Sequence, residues 1–238
     1  MSIFKFLKRF IPSKYRFKIW FWLRKKDKEK LIASAYLPSD PIVLEAGAHI
    51  GYDTVGICKV WKNCTVHAFE PVATIREELL KQTRFLKNVH VYPFALSEKT
   101  GEETIYLSSG GQNASSSLLK PKEHIRLYPD VRFESNQQVR TWNLDEWAIE
   151  YQVEKIDFMW LDMQGKELAV LRASPRIFAT VSVVYIEVHR LETYEQVPKY
   201  QEVKDFMHAN GFKLLLEDMA YEEGGNAMFV RMPNSNVL

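Results

Sequence analysis

Beyond residue 40, the apolar positions fall into seven short runs separated by stretches of helical periodicity. The runs are PIVLEA (41–46), TVHAF (65–69), VHVYPFA (89–95), IDFMWLD (156–162), SVVYIEV (182–188), FKLLLE (212–217) and NAMFVR (226–231), and each predicts a strand. Helical patterns lie at about 51–61 and 73–87, with others near 144–152, 165–172 and 197–210. Strands alternating with helices predict an α/β fold built on a mostly parallel, twisted sheet. The last two strands leave no room for a helix between them, and EEGGN (222–226) supplies a tight connection, so the sheet is expected to close on an antiparallel hairpin. One interruption spans residues 98–140. It holds a hairpin strand at ETIYL (103–107), a small-residue tract SSGGQNASSS (108–117) and a polar segment to Gln138. An insertion of this length beside the carboxyl edge of a sheet is expected to be a substrate lid, with a surface loop as the competing reading.

Composition adds a polarity along the chain. A hydrophobic content of 46% over 238 residues is enough for a full core and argues against disorder. The net charge of +2 conceals a split: residues 1–30 carry 11 Lys and Arg against Asp27 and Glu29, a net of +9, which leaves 21 basic and 28 acidic residues, a net of −7, for the remainder. In the basic part Ile3, Phe4, Leu7, Phe10 and Ile11 recur at helical spacing, with Lys5, Lys8 and Arg9 elsewhere, until Pro12 breaks the pattern. Two roles are open for this segment: an interfacial helix on an anionic membrane surface, or an arm packed on the domain or on a second copy in a homodimer. Nucleic acid is not expected, because the rest of the chain is acidic. The expected division is a basic, aromatic segment over 1–37 and a globular domain over 38–238. The longest apolar run in the basic part, Ile19 to Leu23, is too short for a signal peptide or a membrane span, so a cytoplasmic protein is expected, peripheral on the inner membrane face under the membrane reading. Cys58 and Cys64 show no zinc-site spacing and read as reduced thiols.

The first strand-to-helix turn, VLEAGAHIGYDTV (43–55), carries the first chemical signal. In open α/β sheets ligands sit beyond the carboxyl ends of the strands, and this turn commonly meets the cofactor. Gly47 and Gly51 let the backbone approach a ligand, and the following helix offers amide donors. Glu70 ends the second strand, 19 residues after Gly51, where an acid can accept both hydroxyl hydrogens of a ribose. A nucleoside-containing cofactor follows. His49 stands where the dinucleotide fingerprint has the glycine that admits a pyrophosphate, which favours S-adenosylmethionine over NAD. Glu45, two residues before the first glycine, resembles the acid that class I methyltransferases carry there, and the closing hairpin resembles that of the same fold.

Further along, VRTWNLDEWAIEYQVEKIDFMWLDMQGKELAVLRAS (139–174) resembles the signature of FkbM-type methyltransferases, with EAGAHIGYDT, HAFEP, VYPFALSEKTGEETIYL, SSSLL, YIEVH and ANGF matching in order. The resemblance spans roughly residues 40–230. It implies a class I methyltransferase Rossmann-like fold and S-adenosylmethionine-dependent O-methylation of a hydroxyl on a sugar of a glycan or on a secondary metabolite. It also implies that Glu45, Gly47, Gly51 and Thr54 form the cofactor turn, with His49 where Asn is more usual. Glu70 matches the ribose acid, and Leu96 and Ser97 fall where the third strand leads to the adenine. Trp160 occupies a place where Lys is frequent, and Asp162 matches the family acid.

Methyl transfer to an alcohol needs alignment and a group to take the hydroxyl proton. Asp162 ends the fourth strand of the parallel set beside the expected sulfonium and is the leading candidate, with a helix cap as its alternative role. Glu187 and His189 end the fifth strand on one face and complete the catalytic set. Asp162, Glu187 and His189 could together bind a metal, but no local ligand spacing supports one, and none is expected. Two other classes compete: a nicotinamide-dependent oxidoreductase, and a non-catalytic membrane-associated module. The expected partner is a hydroxyl-bearing small molecule or a glycan acceptor.

Overall fold

A computed structural model describes residues 27–110 and 114–233, so the basic, aromatic stretch up to residue 26 lies outside the described residues. The strands β1 (Ile42–Ala46), β2 (Thr65–Phe69) and β3 (Val89–Tyr92) alternate with helices α2 (Tyr52–Val60) and α3 (Ala73–Thr83), all preceded by α1 (Lys28–Ala33). After a short β4 (Ala95–Leu96) the chain forms β5 (Gly101–Gly110), a helical turn α4 (Glu123–Leu127) and β6 (Val131–Trp142). Then come α5 (Leu144–Glu150), β7 (Phe158–Leu161), α6 (Glu167–Ala173), α7 (Pro175–Phe178), β8 (Val183–His189), α8 (Tyr200–Ala209), β9 (Phe212–Asp218) and β10 (Gly224–Arg231).

Seven strands form one sheet in the order β3-β2-β1-β7-β8-β10-β9. The first five are parallel; β10 runs antiparallel between β8 and β9, which gives the hairpin expected from EEGGN. The seven strand segments expected from the apolar runs are all present, because burial on both sheet faces leaves no room for polar interruption. Leu44, Ala46, Met159, Leu161, Val184 and Ile186 pack on one side with Trp147 of α5 and Leu168 and Leu171 of α6. Val43, Val66, Ala68, Phe158, Trp160, Val183 and Tyr185 pack on the other with Ile57 of α2 and Leu79 of α3. Each large apolar side chain buried there contributes about 1.5–3 kcal/mol.

The 98–140 interruption is more ordered than a loop. β5 and β6 pair antiparallel over most of their length, and β4 adds a third strand to this small sheet. The polar segment expected to run to Gln138 holds the short α4 and then enters the strand Val131–Trp142. The end of the small-residue tract folds back: Ser117 bridges Tyr106 of β5, and its hydroxyl donates to the Gln164 carbonyl after β7 at 2.8 Å. Cys58 and Cys64 are free thiols with sulfurs 4.0 Å apart. Among the described residues, no helix is long and apolar enough to cross a membrane.

Candidate functional site

The carboxyl ends of β1, β2, β7 and β8 converge on one edge of the sheet, and two cavities open there side by side. The first encloses about 700 Å³ of empty space, including solvent at its mouth. Its polar lining includes Gly47, His49, Glu70 and Asp162, and its apolar wall includes Phe69, Ile75, Ala95, Leu96 and Leu118. The second encloses about 860 Å³ and is lined by Asp162, Gln164, Glu187, His189, Tyr194 and Glu223, among others. Asp162, Gln164 and Ala114 belong to both linings, so the cavities meet at the end of β7.

The turn after β1 is built for close approach. Gly47 has φ +82°, and a Cβ there would lie 1.8 Å from the Asp162 carbonyl oxygen, so only glycine allows β1 and β7 to end this close together. His49 also takes a left-handed backbone, φ +49°, which histidine tolerates better than most residues. Its amide donates to Glu70 Oε2 at 3.1 Å, while the Val72 amide donates to Glu70 Oε1 at 2.9 Å. Glu70 therefore ties the first turn to the second, and each carboxylate oxygen keeps a further lone pair for a ligand. Burial pushes the Glu70 carboxyl up to about 7, against the pull of these two amides.

The structure places the other predicted cofactor residues behind this lining. Glu45 and Thr54 are almost fully buried beneath the turn, and Gly51 caps α2 there. Burial raises the Glu45 carboxyl to about 8, and its Oε2 has no hydrogen-bond partner among the described residues. Ser97 is fully buried and donates to Glu98 at 2.9 Å, while Leu96 beside it reaches the cavity wall. Gly47, His49, Glu70 and Leu96 thus line the cavity directly, whereas Glu45, Gly51, Thr54 and Ser97 support it.

At the junction, Asp162 does not cap a helix. α6 begins only at Glu167, whose own buried carboxylate accepts from the amides of Met163 at 2.6 Å and Gly165 at 3.0 Å, so the loop after Asp162 is tied without it. Asp162 is ringed by protein yet open to both cavities. Gln164, held at φ +57°, donates from Nε2 to Asp162 Oδ1 at 2.7 Å and to Glu187 Oε2 at 2.9 Å. Its Oε1 lies 2.8 Å from the Tyr194 hydroxyl, which is also 2.9 Å from the Ser115 carbonyl. Burial raises the Asp162 carboxyl, and Glu187 is driven well above the carboxylate range by burial and then by the Asp162 charge. The two carboxyls thus titrate as a linked pair, with Glu187 pushed up by burial and by its negative neighbour.

His189 lies on the second cavity with Nδ1 2.9 Å from the Thr193 hydroxyl and Nε2 3.7 Å from Glu187 Oε2. Burial pulls it down to about 4, so it is neutral and a weak base at neutral pH. The structure thus places Asp162, Glu187 and His189 on the second cavity. Among the described residues, no group of three or more His, Cys, Asp or Glu is placed to hold a metal ion. Sequence reasoning did not single out Gln164, Tyr194, Tyr128 or Glu223. Tyr128 comes from the insertion and donates its hydroxyl to Glu223 in the C-terminal hairpin, a pairing between segments far apart in the chain that no local pattern signals.

Comparison with known proteins gives the geometry a family context. The model of the methyltransferase FkbM domain matches residues 45–214. The chain is 28% identical over 173 residues to the 2-O-methyltransferase NoeI of Sinorhizobium fredii, covering 70% of this chain and 71% of that protein. Among solved structures, the FkbM methyltransferase from Methylobacillus flagellatus KT superposes with a TM-score of 0.54 at 14% identity, over 81% of this chain and 44% of that one. The magnesium protoporphyrin IX methyltransferase from Synechocystis PCC 6803, solved with S-adenosylmethionine bound, gives 0.51 at 11% identity, over 88% of this chain and 79% of that one. These two structures share the fold.

Proposed function

Because the chain belongs to the FkbM methyltransferase family, we propose that it is an S-adenosylmethionine-dependent O-methyltransferase, with the cofactor in the first cavity and a hydroxyl-bearing acceptor in the second. One observation carries this reading: Asp162 stands where the two cavities meet, in reach of an acceptor in one and of the cofactor's reacting end in the other. When bound, S-adenosylmethionine supplies a sulfonium-activated methyl group that an acceptor oxygen can take by in-line displacement. The residues present fit that cofactor. Glu70 offers two carboxylate oxygens to the ribose hydroxyls, and Leu96, Ala95 and Ile75 give an apolar slot suited to adenine. The close turn through Gly47 brings backbone near the ligand, whereas His49 stands where the dinucleotide fingerprint has a glycine, which weighs against the nicotinamide alternative.

Asp162 is the proposed base. As a carboxylate, held by Gln164 beside Glu187, it receives the acceptor's hydroxyl proton as the oxygen becomes nucleophilic. The neutral His189 and the Tyr194–Gln164 pair orient the acceptor from the second cavity. Among the described residues no Lys or Arg lines that cavity, which suits an uncharged acceptor such as a sugar of a glycan or a secondary metabolite. The relative NoeI, named as a 2-O-methyltransferase, supports transfer to oxygen. The test is methyl transfer from labelled S-adenosylmethionine to a panel of neutral glycans and hydroxylated metabolites. With an active acceptor in hand, Asp162→Asn should lower turnover by about 10² or more and leave cofactor affinity nearly unchanged. Wild-type turnover in that variant would remove Asp162 from the proton-accepting role.

A further inference from the structure

The helix α1 precedes the family-matched residues, yet it sends a lysine into the protein interior. Lys30 is 1% exposed, with Nζ 2.7 Å from Asp53 Oδ1 and 4.2 Å from the ring centre of Trp160. An ammonium group is costly to bury unless it is paired, and a methionine would fill the same channel without that cost. The channel itself is shaped for the lysine. Gly56 lies in α2 where a Cβ would sit 3.0 Å from Lys30 Cε and 3.3 Å from Nζ, so the glycine keeps the helix face open for the side chain.

What the ammonium touches belongs to the underside of the cofactor turn. Asp53 is in the first turn of α2, two residues after Gly51. Trp160 pairs in register with Glu45 on one side and Tyr185 on the other, so the three side chains form a row on one face of the sheet. Lys30 lies over the middle of that row and favours the ionised form of Glu45 against the burial that raises it, and the Oε2 of that acid has no hydrogen-bond partner among the described residues. Asp53 also acts electrostatically on Glu45 and on Asp162, so its pairing with Lys30 bears on the field across the whole turn.

Resting on the cofactor assignment above, we propose that Lys30 is a positioning residue for S-adenosylmethionine: it fixes the first turn of α2 through Asp53 and supplies the countercharge beneath Gly47 and His49. Helix α1 is then a working part of the cofactor site and not only a bridge to the basic segment before it. Truncation through residue 30 removes this contact, whereas truncation at residue 26 keeps it.

The test is calorimetric titration of the full-length protein with S-adenosylhomocysteine, alongside thermal melting, for wild type, Lys30→Met, Asp53→Asn and the double variant. Each single substitution should weaken binding about tenfold, the scale of a charged hydrogen bond. The double variant should be no weaker than the worse single, since both remove one interaction. A purely structural role would lower the melting temperature and leave affinity at the wild-type value, and that result overturns the proposal. If Lys30→Met does not fold, Asp53→Asn, at a position 38% exposed, carries the test alone, and wild-type affinity there is equally fatal. Failure of the wild type to bind S-adenosylhomocysteine would sink the cofactor assignment itself. Equal binding by wild type and variants would sink only the role of Lys30.

Discussion

Glu70 does two jobs with one carboxylate, and that fixes what its replacement should do. It receives the amides of His49 and Val72, and it faces the cavity where the ribose is proposed to lie. Glu70→Gln puts an amide NH₂ where one backbone donor now finds an acceptor, and it weakens the grip on the hydroxyls. S-adenosylhomocysteine affinity should fall by about 1.5–3 kcal/mol, read by titration of the folded variant. Unchanged affinity would take Glu70 out of the site. Glu70, Asp162, Glu187 and His189 were legible because each ends an apolar strand, where polarity is conspicuous. Gln164 and Tyr194 were not, since their roles come from a left-handed loop residue and a tyrosine buried in an irregular segment. The sequence also gave no means of telling the residues that line the cavity from those beneath it. Glu45 and Glu70 read alike as strand-end acids, yet one is buried under the turn and the other faces the ligand space.

Among the elements, α5 depends on a single side chain for its start. Asn143 accepts from the amides of Asp145 at 2.9 Å and Glu146 at 3.2 Å, and its Nδ2 donates to the carbonyls of Ala173 at 2.9 Å and Glu98 at 3.2 Å. It therefore caps α5 while joining it to α6 and to the start of the insertion. Asn143→Ala should cost about 1–2 kcal/mol, since it removes the cap and the two bonds that join α5 to α6 and to the insertion, and denaturant unfolding measures it. A loss within a few tenths of a kcal/mol would mean that water replaces these bonds. The central strands were visible as apolar runs because both faces of the sheet are covered. β6 was not, because half of its residues are exposed and its sequence, VRFESNQQVRTW, lacks an apolar stripe. Helices as short as Glu123–Leu127 and Pro175–Phe178 hold too little of a helical period to register.

For the molecule as a whole, the buried acids make stability depend on pH in an uncommon direction. Burial raises Glu45 and Glu167 to about 8 and Glu70 to about 7, whereas the unfolded chain releases these protons near 4.5. Between those values the folded state binds more protons, so these groups make stability fall as pH rises from about 4.5 to about 8. His67 and His189, both held near 4 by burial, act oppositely and withdraw stability as pH falls below about 6.5. Glu45→Gln removes one of the acid contributions. The melting temperature of the ligand-free variant should decline less than that of the wild type between pH 5 and about 8.5, and parallel curves would show that Glu45 does not titrate in this window. The sheet order, the close turn at Gly47 and the two cavities meeting at Asp162 together form one claim: the first cavity receives S-adenosylmethionine and not a dinucleotide. Calorimetric titration of the full-length wild-type protein with S-adenosylhomocysteine and, separately, with NAD tests it most directly. Saturable one-to-one binding of S-adenosylhomocysteine with no heat from NAD is the predicted result; binding of NAD with no response to S-adenosylhomocysteine would contradict it.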